Sequence, residues 1–93
     1  MKRGLEPTTA FLRAVKRLPK RQPGVAEDLR HTLELLEADA FAPPLRTHKL
    51  KGALTGCWAS SAGYDLRIIF EIHPVDGGEK VSLLSIGTHD EVY

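Results

Sequence analysis

Three residues in the C-terminal half of the chain have side chains suited to cleaving a ribose phosphodiester without a metal ion. Asp65 and Arg67 stand two apart where apolar and polar residues alternate, and His89 follows the next apolar stretch. Histidine suits proton transfer because its unperturbed pKa is about 6.5, and arginine suits phosphate because its planar fork keeps its charge. These residue types are common, however, and taken alone they favour an ion pair of Arg67 with Asp65 or Glu71 on an exposed sheet face over a catalytic role.

Metal and phosphate-loop chemistry have no matching motif in the sequence. His48 and His89 are far apart, no HxH or HExxH pattern occurs, and a single cysteine excludes both a multi-cysteine zinc site and an internal disulfide. Gly77-Gly78 precedes a strand pattern, whereas a phosphate-binding loop would open a helix. We therefore expect no metal and no cofactor, and we interpret Cys57 as a small buried residue without a role.

Hydrophobic periodicity predicts two helices before the strands. Apolar residues recur at helical spacing from a threonine cap at position 8 or 9 to Pro19, and again from Val25 to Leu36. Pro43-Pro44 then ends helical structure, because neither proline can continue a helix. We expect the two helices to form an antiparallel hairpin.

A period of two predicts the strands that follow. The strongest pattern runs from Leu66 to Ile72, with further strands at Leu54 to Ser60 and Val81 to Ile86, and a hairpin loop at His73 to Glu79. The segment before Pro7 is a weaker candidate for an edge strand. The chain is thus predicted to be one domain, residues 1–93, of the α+β class. A two-helix hairpin packs on one face of an antiparallel sheet of three to four strands.

The hairpin between the last two strands decides which candidate residues meet. We expect Ile72 to pair with Lys80, which brings Arg67, Asp65 and His89 to one end of the sheet face that the helices leave free. This register gives two cross-strand pairs: Arg67 with Ser85, and Asp65 with Gly87.

The other histidines and aromatic residues are interpreted as structural. His31 in the second helix and His73 in the hairpin loop are expected to face solvent. Trp58 and Tyr64 are more typical of sheet packing than of a base-stacking surface.

Charge is unevenly distributed although the net charge is only +1. Residues 1–22 carry seven Lys or Arg against one acid, while residues 27–39 carry five acids. This asymmetry suits a polyanion on one side, although solvated helix faces explain it equally well. No apolar stretch approaches the roughly 20 residues that span a bilayer, and no signal-peptide core follows the charged start. We expect a cytoplasmic protein without a membrane partner.

Three blocks of the sequence resemble the RelE/YafQ branch of the RelE/ParE toxin superfamily. They are His48 to Gly52, Tyr64 to Ile72 and Ile86 to Tyr93, and together with the helix pair they cover nearly the whole chain. The three blocks in this order are more specific than any one of them. The resemblance implies a microbial-ribonuclease-like fold and an endoribonuclease that cuts mRNA, at the ribosome, by attack of the ribose 2′-hydroxyl. It also implies neutralisation by a cognate antitoxin and contact with operator DNA only through the toxin–antitoxin complex.

The resemblance also implies roles for single residues. His48 matches a YafQ histidine that helps proton transfer, Asp65 an acidic site residue, and His89 the active-site histidine. Arg67 matches the RelE arginine that contacts the scissile phosphate, and Tyr93 the C-terminal aromatic that orients the substrate. From their charge, the basic residues beside His48 are expected to bind RNA: Arg46, Lys49 and Lys51.

Four positions depart from these patterns. A further YafQ histidine falls at Ser61 and its strand arginine at Ser85, while the RelE strand lysines fall at Trp58 and Ser60. The chain thus combines half of each site. This combination leaves the division of acid and base roles open and is compatible with weakened activity.

Two other functions are compatible with the same scaffold. One is a ParE-like toxin that inhibits DNA gyrase by protein–protein contact and has no need for His48, His89 and Tyr93. The other is a catalytically inactive module that binds an antitoxin and, with it, operator DNA, for which the basic N-terminal helix is suited.

Overall fold

The computed structural model describes residues 4–18, 24–63, 65–88 and 92. Its two helices are α1 (Thr9–Lys16) and α2 (Val25–Ala38). Its five strands are β1 (Gly4–Pro7), β2 (His48–Lys49), β3 (Trp58–Ser61), β4 (Leu66–Val75) and β5 (Gly78–Thr88). Short 3-10 helices span Pro43–Leu45 and Gly52–Leu54. Within the described ranges, no helix is both long enough and apolar enough to cross a membrane.

Both predicted helices are present, and a threonine links the first of them to the sheet. The Thr8 hydroxyl accepts a hydrogen bond from the Phe11 N–H at 3.2 Å, which satisfies a donor at the start of α1. The same hydroxyl donates to the Leu83 carbonyl oxygen of β5 at 2.8 Å. The predicted stop at Pro19 lies outside the described residues. The predicted cap is thus confirmed at position 8, and it also fixes where α1 lies over the sheet.

The sheet has more strands than predicted, and one edge is parallel. The strand order is β1-β5-β4-β3-β2, with β1 running parallel to β5 and the other neighbours antiparallel. The weak edge-strand prediction before Pro7 is therefore confirmed, and β2 adds a fifth strand that the sequence pattern missed. The α+β class with helices packed on a sheet is confirmed, with a mixed sheet in place of a purely antiparallel one.

Two predicted segments differ in extent. The strand predicted at Leu54 to Ser60 begins only at Trp58, because the Cys57 N–H bonds back to the Leu54 carbonyl oxygen at 3.0 Å and closes a turn. The hairpin loop predicted at His73 to Glu79 is only the two-residue turn Asp76-Gly77, in which Gly77 has φ +83°. His73 is consequently a half-buried strand residue and not a loop residue.

The register between β4 and β5 also differs from the prediction. Ile72 lies opposite Val81 and not Lys80, and a β-bulge shifts the pairing by one further residue, leaving Leu84 as the extra residue of β5. The bulge allows Val81 and Ile86, which differ in parity, both to face the core. The observed pairs beyond the hairpin are Phe70 with Leu83, Ile69 with Ser85 and Arg67 with Gly87.

The predicted pairs Arg67 with Ser85 and Asp65 with Gly87 are therefore wrong. Arg67 lies opposite Gly87, and Asp65 lies in a bend before β4 begins. Beyond the bulge, each β4 residue pairs two positions further along β5 than predicted. Because a shift of two residues keeps the side chains on the same face, the face predicted for Arg67 is unchanged.

The main core lies between the helices and one sheet face. It joins buried side chains of both helices to alternate residues of β4 and β5: Phe11, Ala14, Leu36, Ile68, Phe70, Val81, Leu83 and Ile86. Because successive side chains of a strand point to opposite faces, Arg67 and Ile69 must point away from this core. We call that second side of the sheet the outer face.

Ser60 is a polar residue in the core with no hydrogen-bond partner in the described part of the chain. Its hydroxyl is fully buried beside the apolar cluster. A buried hydroxyl that loses water without gaining a partner costs about 1–3 kcal/mol. We therefore expect Ser60→Ala to raise the free energy of unfolding by about 1 kcal/mol in urea denaturation. Ser61→Ala on the outer face is the control and should change stability by less than about 0.5 kcal/mol. A lower stability of Ser60→Ala would contradict the assignment.

Candidate active site

The outer face is ordered by two rows of directly paired residues. One row runs from His48 on β2 through Ala59 and Ile69 to Ser85 on β5. Directly paired residues of neighbouring strands project to the same face, so His48 and Ile69 share the outer face. Ala59 and Ile69 are only 0% and 3% exposed yet lie outside the main core cluster. They form a buried apolar strip, here called the floor, with polar side chains at both ends of the row.

The second row contains Arg67 between two small residues. Ser61 lies on one side and Gly87 on the other. Because neither neighbour carries a long side chain, the space beside the guanidinium is not filled from its own row. An arginine in such a setting is suited to binding a phosphate through parallel N–H donors.

The Arg67 guanidinium is held against its own strand. One of its amino groups donates to the Leu66 carbonyl oxygen at 2.8 Å, and the side chain is half-buried. Among residues 4–18, 24–63, 65–88 and 92, no carboxylate forms an ion pair with it, neither Asp65 nor Glu71. The alternative that Arg67 serves these two carboxylates as an ion-pair partner is thus not seen in this part of the chain.

The backbone before β2 determines which His48 nitrogen carries the proton. Nδ1 of His48 lies 3.1 Å from the Arg46 carbonyl oxygen. A carbonyl can only accept, so this contact favours the tautomer with the proton on Nδ1, in which the lone pair of the neutral ring is on Nε2. Nε2 is the nitrogen suited to take a proton from a substrate hydroxyl.

Arg46 adopts a conformation that L-residues rarely take. Its φ is 51° and its ψ 40°, in the left-handed region. It ends the 3-10 helix by donating its N–H to the Pro43 carbonyl oxygen at 3.2 Å. An extended backbone with ψ of about 135° would turn the Arg46 carbonyl away by roughly a right angle. The left-handed backbone therefore aims the carbonyl at His48.

Variants of Arg46 are expected to separate this backbone role from the role of the side chain. Arg46→Gly should keep Nδ1 of His48 protonated, because glycine adopts positive φ freely, whereas Arg46→Val should lose the preference. ¹⁵N NMR of the neutral imidazoles reports the tautomer directly, with exposed His31 as an internal reference. An Nε2-protonated His48 in the unmodified protein, or no difference between the two variants, would contradict the inference.

His48 and Arg67 stand across the floor from each other. They are two strands apart, about 10 Å, and offset by two residues, about 7 Å along the strand. Both side chains are long enough to reach a group bound between them. The arrangement is suited to a proton acceptor and a cation acting on one phosphodiester.

The structure separates the other predicted site residues. Asp65 is exposed, two positions before Arg67 and at the same end of β4. Arg46 and Lys51 are exposed on either side of β2, but Lys49 alternates with His48 and lies on the opposite face, with Nζ 5.4 Å from the centre of the Trp58 ring. His89 and Tyr93 lie outside the described residues.

The four departures from the family patterns fall on two different faces. Ser61 and Ser85 are in the outer-face rows, one in each row. Trp58 and Ser60 point to the helix side of β3, with Trp58 packed against the main core. A cation at either of these two positions would face the helices and not a phosphate on the outer face.

Cys57 and its neighbours carry no sign of nucleophilic or metal chemistry. Burial, and secondarily the Glu71 carboxylate, raise the pKa of the Cys57 thiol, so it is a poor nucleophile near neutrality. His73 lies 3.8 Å from Glu71 in an ion-pair geometry. Among the described residues, no three His, Cys, Asp or Glu side chains are grouped closely enough to hold a metal ion.

Comparison with known proteins decides the family. The model of the YafQ family, described as a bacterial toxin of type II toxin-antitoxin systems, matches residues 3–93. The chain belongs to the YafQ toxin family. It is therefore a toxin of a type II toxin–antitoxin system. A search of curated proteins finds no match.

Solved structures of related toxins share the fold at low sequence identity. YafQ from E. coli strain BL21(DE3) has a TM-score of 0.76 and 19% identity, with 99% of each chain covered. YafQ in the E. coli DinJ-YafQ toxin-antitoxin complex has a TM-score of 0.75 and 21% identity over 100% of this chain and 99% of that one. The YoeB/ParE toxin from Agrobacterium tumefaciens has a TM-score of 0.74 and 14% identity over 92% and 98%. The YafQ family member described here thus has the expected toxin fold.

Proposed function

We propose that this toxin is an endoribonuclease that cleaves mRNA by attack of a ribose 2′-hydroxyl on the adjacent phosphate. The observation that carries the proposal is the pair His48 and Arg67, which project from one sheet face on either side of the apolar floor. The family to which the chain belongs is compatible with this chemistry.

Each residue has a distinct part in the proposed reaction. Nε2 of His48 takes the proton of the 2′-hydroxyl, and the oxygen then attacks the adjacent phosphorus. Arg67 neutralises the charge that gathers on the non-bridging oxygens, and this charge is largest in the transition state. The bond to the 5′-oxygen breaks, and an acid must protonate that leaving oxygen.

The residue that protonates the leaving oxygen is assigned from the family resemblance. His89 directly follows the last described residue of β5, and Asp65 directly precedes β4. We propose that His89 is the acid that protonates the 5′-oxygen. Asp65 orients the His89 ring or stabilises its protonated form, and Tyr93 orients the substrate. These three roles remain predictions, as do the RNA-binding roles of Arg46, Lys49 and Lys51.

The proposed partners follow from the substrate and from the toxin–antitoxin system. We propose that mRNA is bound at the ribosome, in the cytoplasm, and that a cognate antitoxin covers the outer face. YafQ of E. coli is found in a complex with DinJ, its toxin-antitoxin partner. The basic side chains around β2 favour an antitoxin with an acidic contact surface. Operator DNA would be contacted only through the complex.

Induced expression without antitoxin separates this function from its alternative. An endoribonuclease should stop translation and leave fragments of mRNA, whereas a gyrase inhibitor should cause filamentation with intact RNA. Sequencing of RNA ends after induction is the measurement. Growth arrest with unbroken mRNA would contradict the proposal.

A further inference from the structure

Phe41 is a large apolar residue that a fixed backbone presents to solvent. Its side chain is 46% exposed, although the preceding Ala40 is 0% exposed. The Phe41 N–H donates to the Asp39 carboxylate oxygen at 2.9 Å, and the Ala42 N–H donates to the Asp39 carbonyl oxygen at 3.0 Å. Burial of Ala40 and the two hydrogen bonds to Asp39 thus fix the backbone from Ala40 to Ala42, and Pro43 limits the backbone that follows. The exposed ring is therefore held in place before any ligand binds.

The Phe41 ring belongs to a group of aromatic and cationic side chains. Its centre lies 5.1 Å from that of Trp58, with the ring planes at 82°. Lys49 lies over the Trp58 ring at 5.4 Å. A single exposed phenylalanine is ordinary on a protein surface. An exposed aromatic ring beside a lysine offers the two residue types that bind an unpaired base and its phosphate.

This group adjoins the candidate active site through β2. His48 and Lys49 are consecutive and point to opposite faces of that two-residue edge strand. One face therefore presents the proposed base of the reaction, and the other presents the aromatic group. Exposed Arg46 and Lys51 lie before and after the strand. A strand of RNA that passes over this edge would keep its phosphates beside cations on both faces.

We propose that Phe41, Trp58 and Lys49 form a binding site for an unpaired base of the RNA, on the other side of the β2 edge from the scissile phosphate. The inference rests on the proposed function, and it specifies the substrate as single-stranded RNA. The base stacks on the exposed Phe41 ring, Trp58 packs against that ring nearly at a right angle, and Lys49 faces the adjoining phosphate. Stacking makes the site tolerant of base identity, since every base has a π-face.

Trp58 provides a direct readout because it is the only tryptophan of the chain. The full-length protein is titrated with a fully 2′-O-methylated RNA, which has no nucleophilic hydroxyl, and with an abasic oligonucleotide of equal length and charge. We expect the base-containing RNA to change Trp58 fluorescence and the abasic one to leave it unchanged. Phe41→Leu should weaken binding of the base-containing RNA about tenfold without affecting the abasic one. Leu12→Ala, which shortens an equally exposed apolar side chain on α1, should have no effect.

The outcomes separate this inference from the proposed function. If the RNA binds but the abasic oligonucleotide gives the same signal, or if Phe41→Leu binds as tightly as the unmodified protein, the base site is wrong and the endoribonuclease proposal stands. If a cognate antitoxin changes Trp58 fluorescence and the RNA does not, the group is a protein interface and the base site is again wrong. If neither oligonucleotide binds, the base site is wrong, and the endoribonuclease proposal, which places the substrate at the ribosome, is decided by the RNA ends after induction.

Discussion

Replacement of Arg67 by alanine is expected to lower the rate of RNA cleavage by a factor of about 10²–10³ while the protein stays folded. The neighbours of Arg67 in its outer-face row, Ser61 and Gly87, cannot replace the charge of its guanidinium. The effect should be on the rate constant more than on binding, because the phosphate carries most charge in the transition state. Single-turnover cleavage at saturating protein measures it.

The matched control for this variant is Arg30→Ala on α2. Arg30 is exposed and pairs with Glu27 and Glu34, remote in sequence from the outer-face strands. The Arg30→Ala substitution removes one positive charge, as Arg67→Ala does, but leaves the candidate site unchanged, so the rate of cleavage should not change. Arg67→Lys should recover only part of the rate, because an ammonium group lacks the planar fork. A folded Arg67→Ala variant with full activity would contradict the assigned site.

Replacement of His48 by glutamine is expected to lower cleavage by a factor of about 10²–10⁴. Glutamine retains polar size but cannot accept a proton near neutrality. His73→Gln is the control on the same sheet face, because His73 lies at the other end of β4 beside Glu71 and Lys80. The measurement is the cleavage rate of each variant at several pH values, and the rate of His48→Gln should be much lower than that of His73→Gln. Equal losses in both variants would mean that His48 has no specific role in proton transfer.

The helices and the strongest strands follow from the sequence because their signals are local. The apolar repeat from Val25 to Leu36 and the alternation from Leu66 to Ile72 each define one face without help from distant residues. The weaker prediction of an edge strand before Pro7 is also confirmed. Its strand contains Gly4 and Pro7, which are rare inside sheets, yet both are tolerated at an edge.

The register of β4 and β5 could not be obtained from alternation alone. The prediction assumed a long loop and an unbroken ladder, while the protein has a tight turn and a bulge. Adjacent Leu83 and Leu84 give the signal that was available, because the apolar positions change parity there from Val81 to Ile86. A change of parity on a strand that keeps one face buried indicates an inserted residue.

The candidate site was predicted in part. Arg67 and His48 were named from the sequence, and both lie on the outer face. The position of Lys49 was not foreseen, because β2 is too short to show alternation and its two residues point to opposite faces. Nothing in the sequence marks Arg46 as left-handed, since that conformation is normally reserved for glycine, asparagine or aspartate.

The chemistry of the RNA ends is the most direct test of the proposed mechanism. Upstream fragments are collected from cells after induction and from single-stranded RNA incubated with the purified protein in excess chelator, and they are analysed by mass spectrometry. Attack by the 2′-hydroxyl predicts a 2′,3′-cyclic phosphate or a 3′-phosphate on that fragment, and a deoxyribose at the cut position should abolish cleavage. A free 3′-hydroxyl on the upstream fragment, together with loss of activity in chelator, would contradict the mechanism and the roles given to His48 and Arg67.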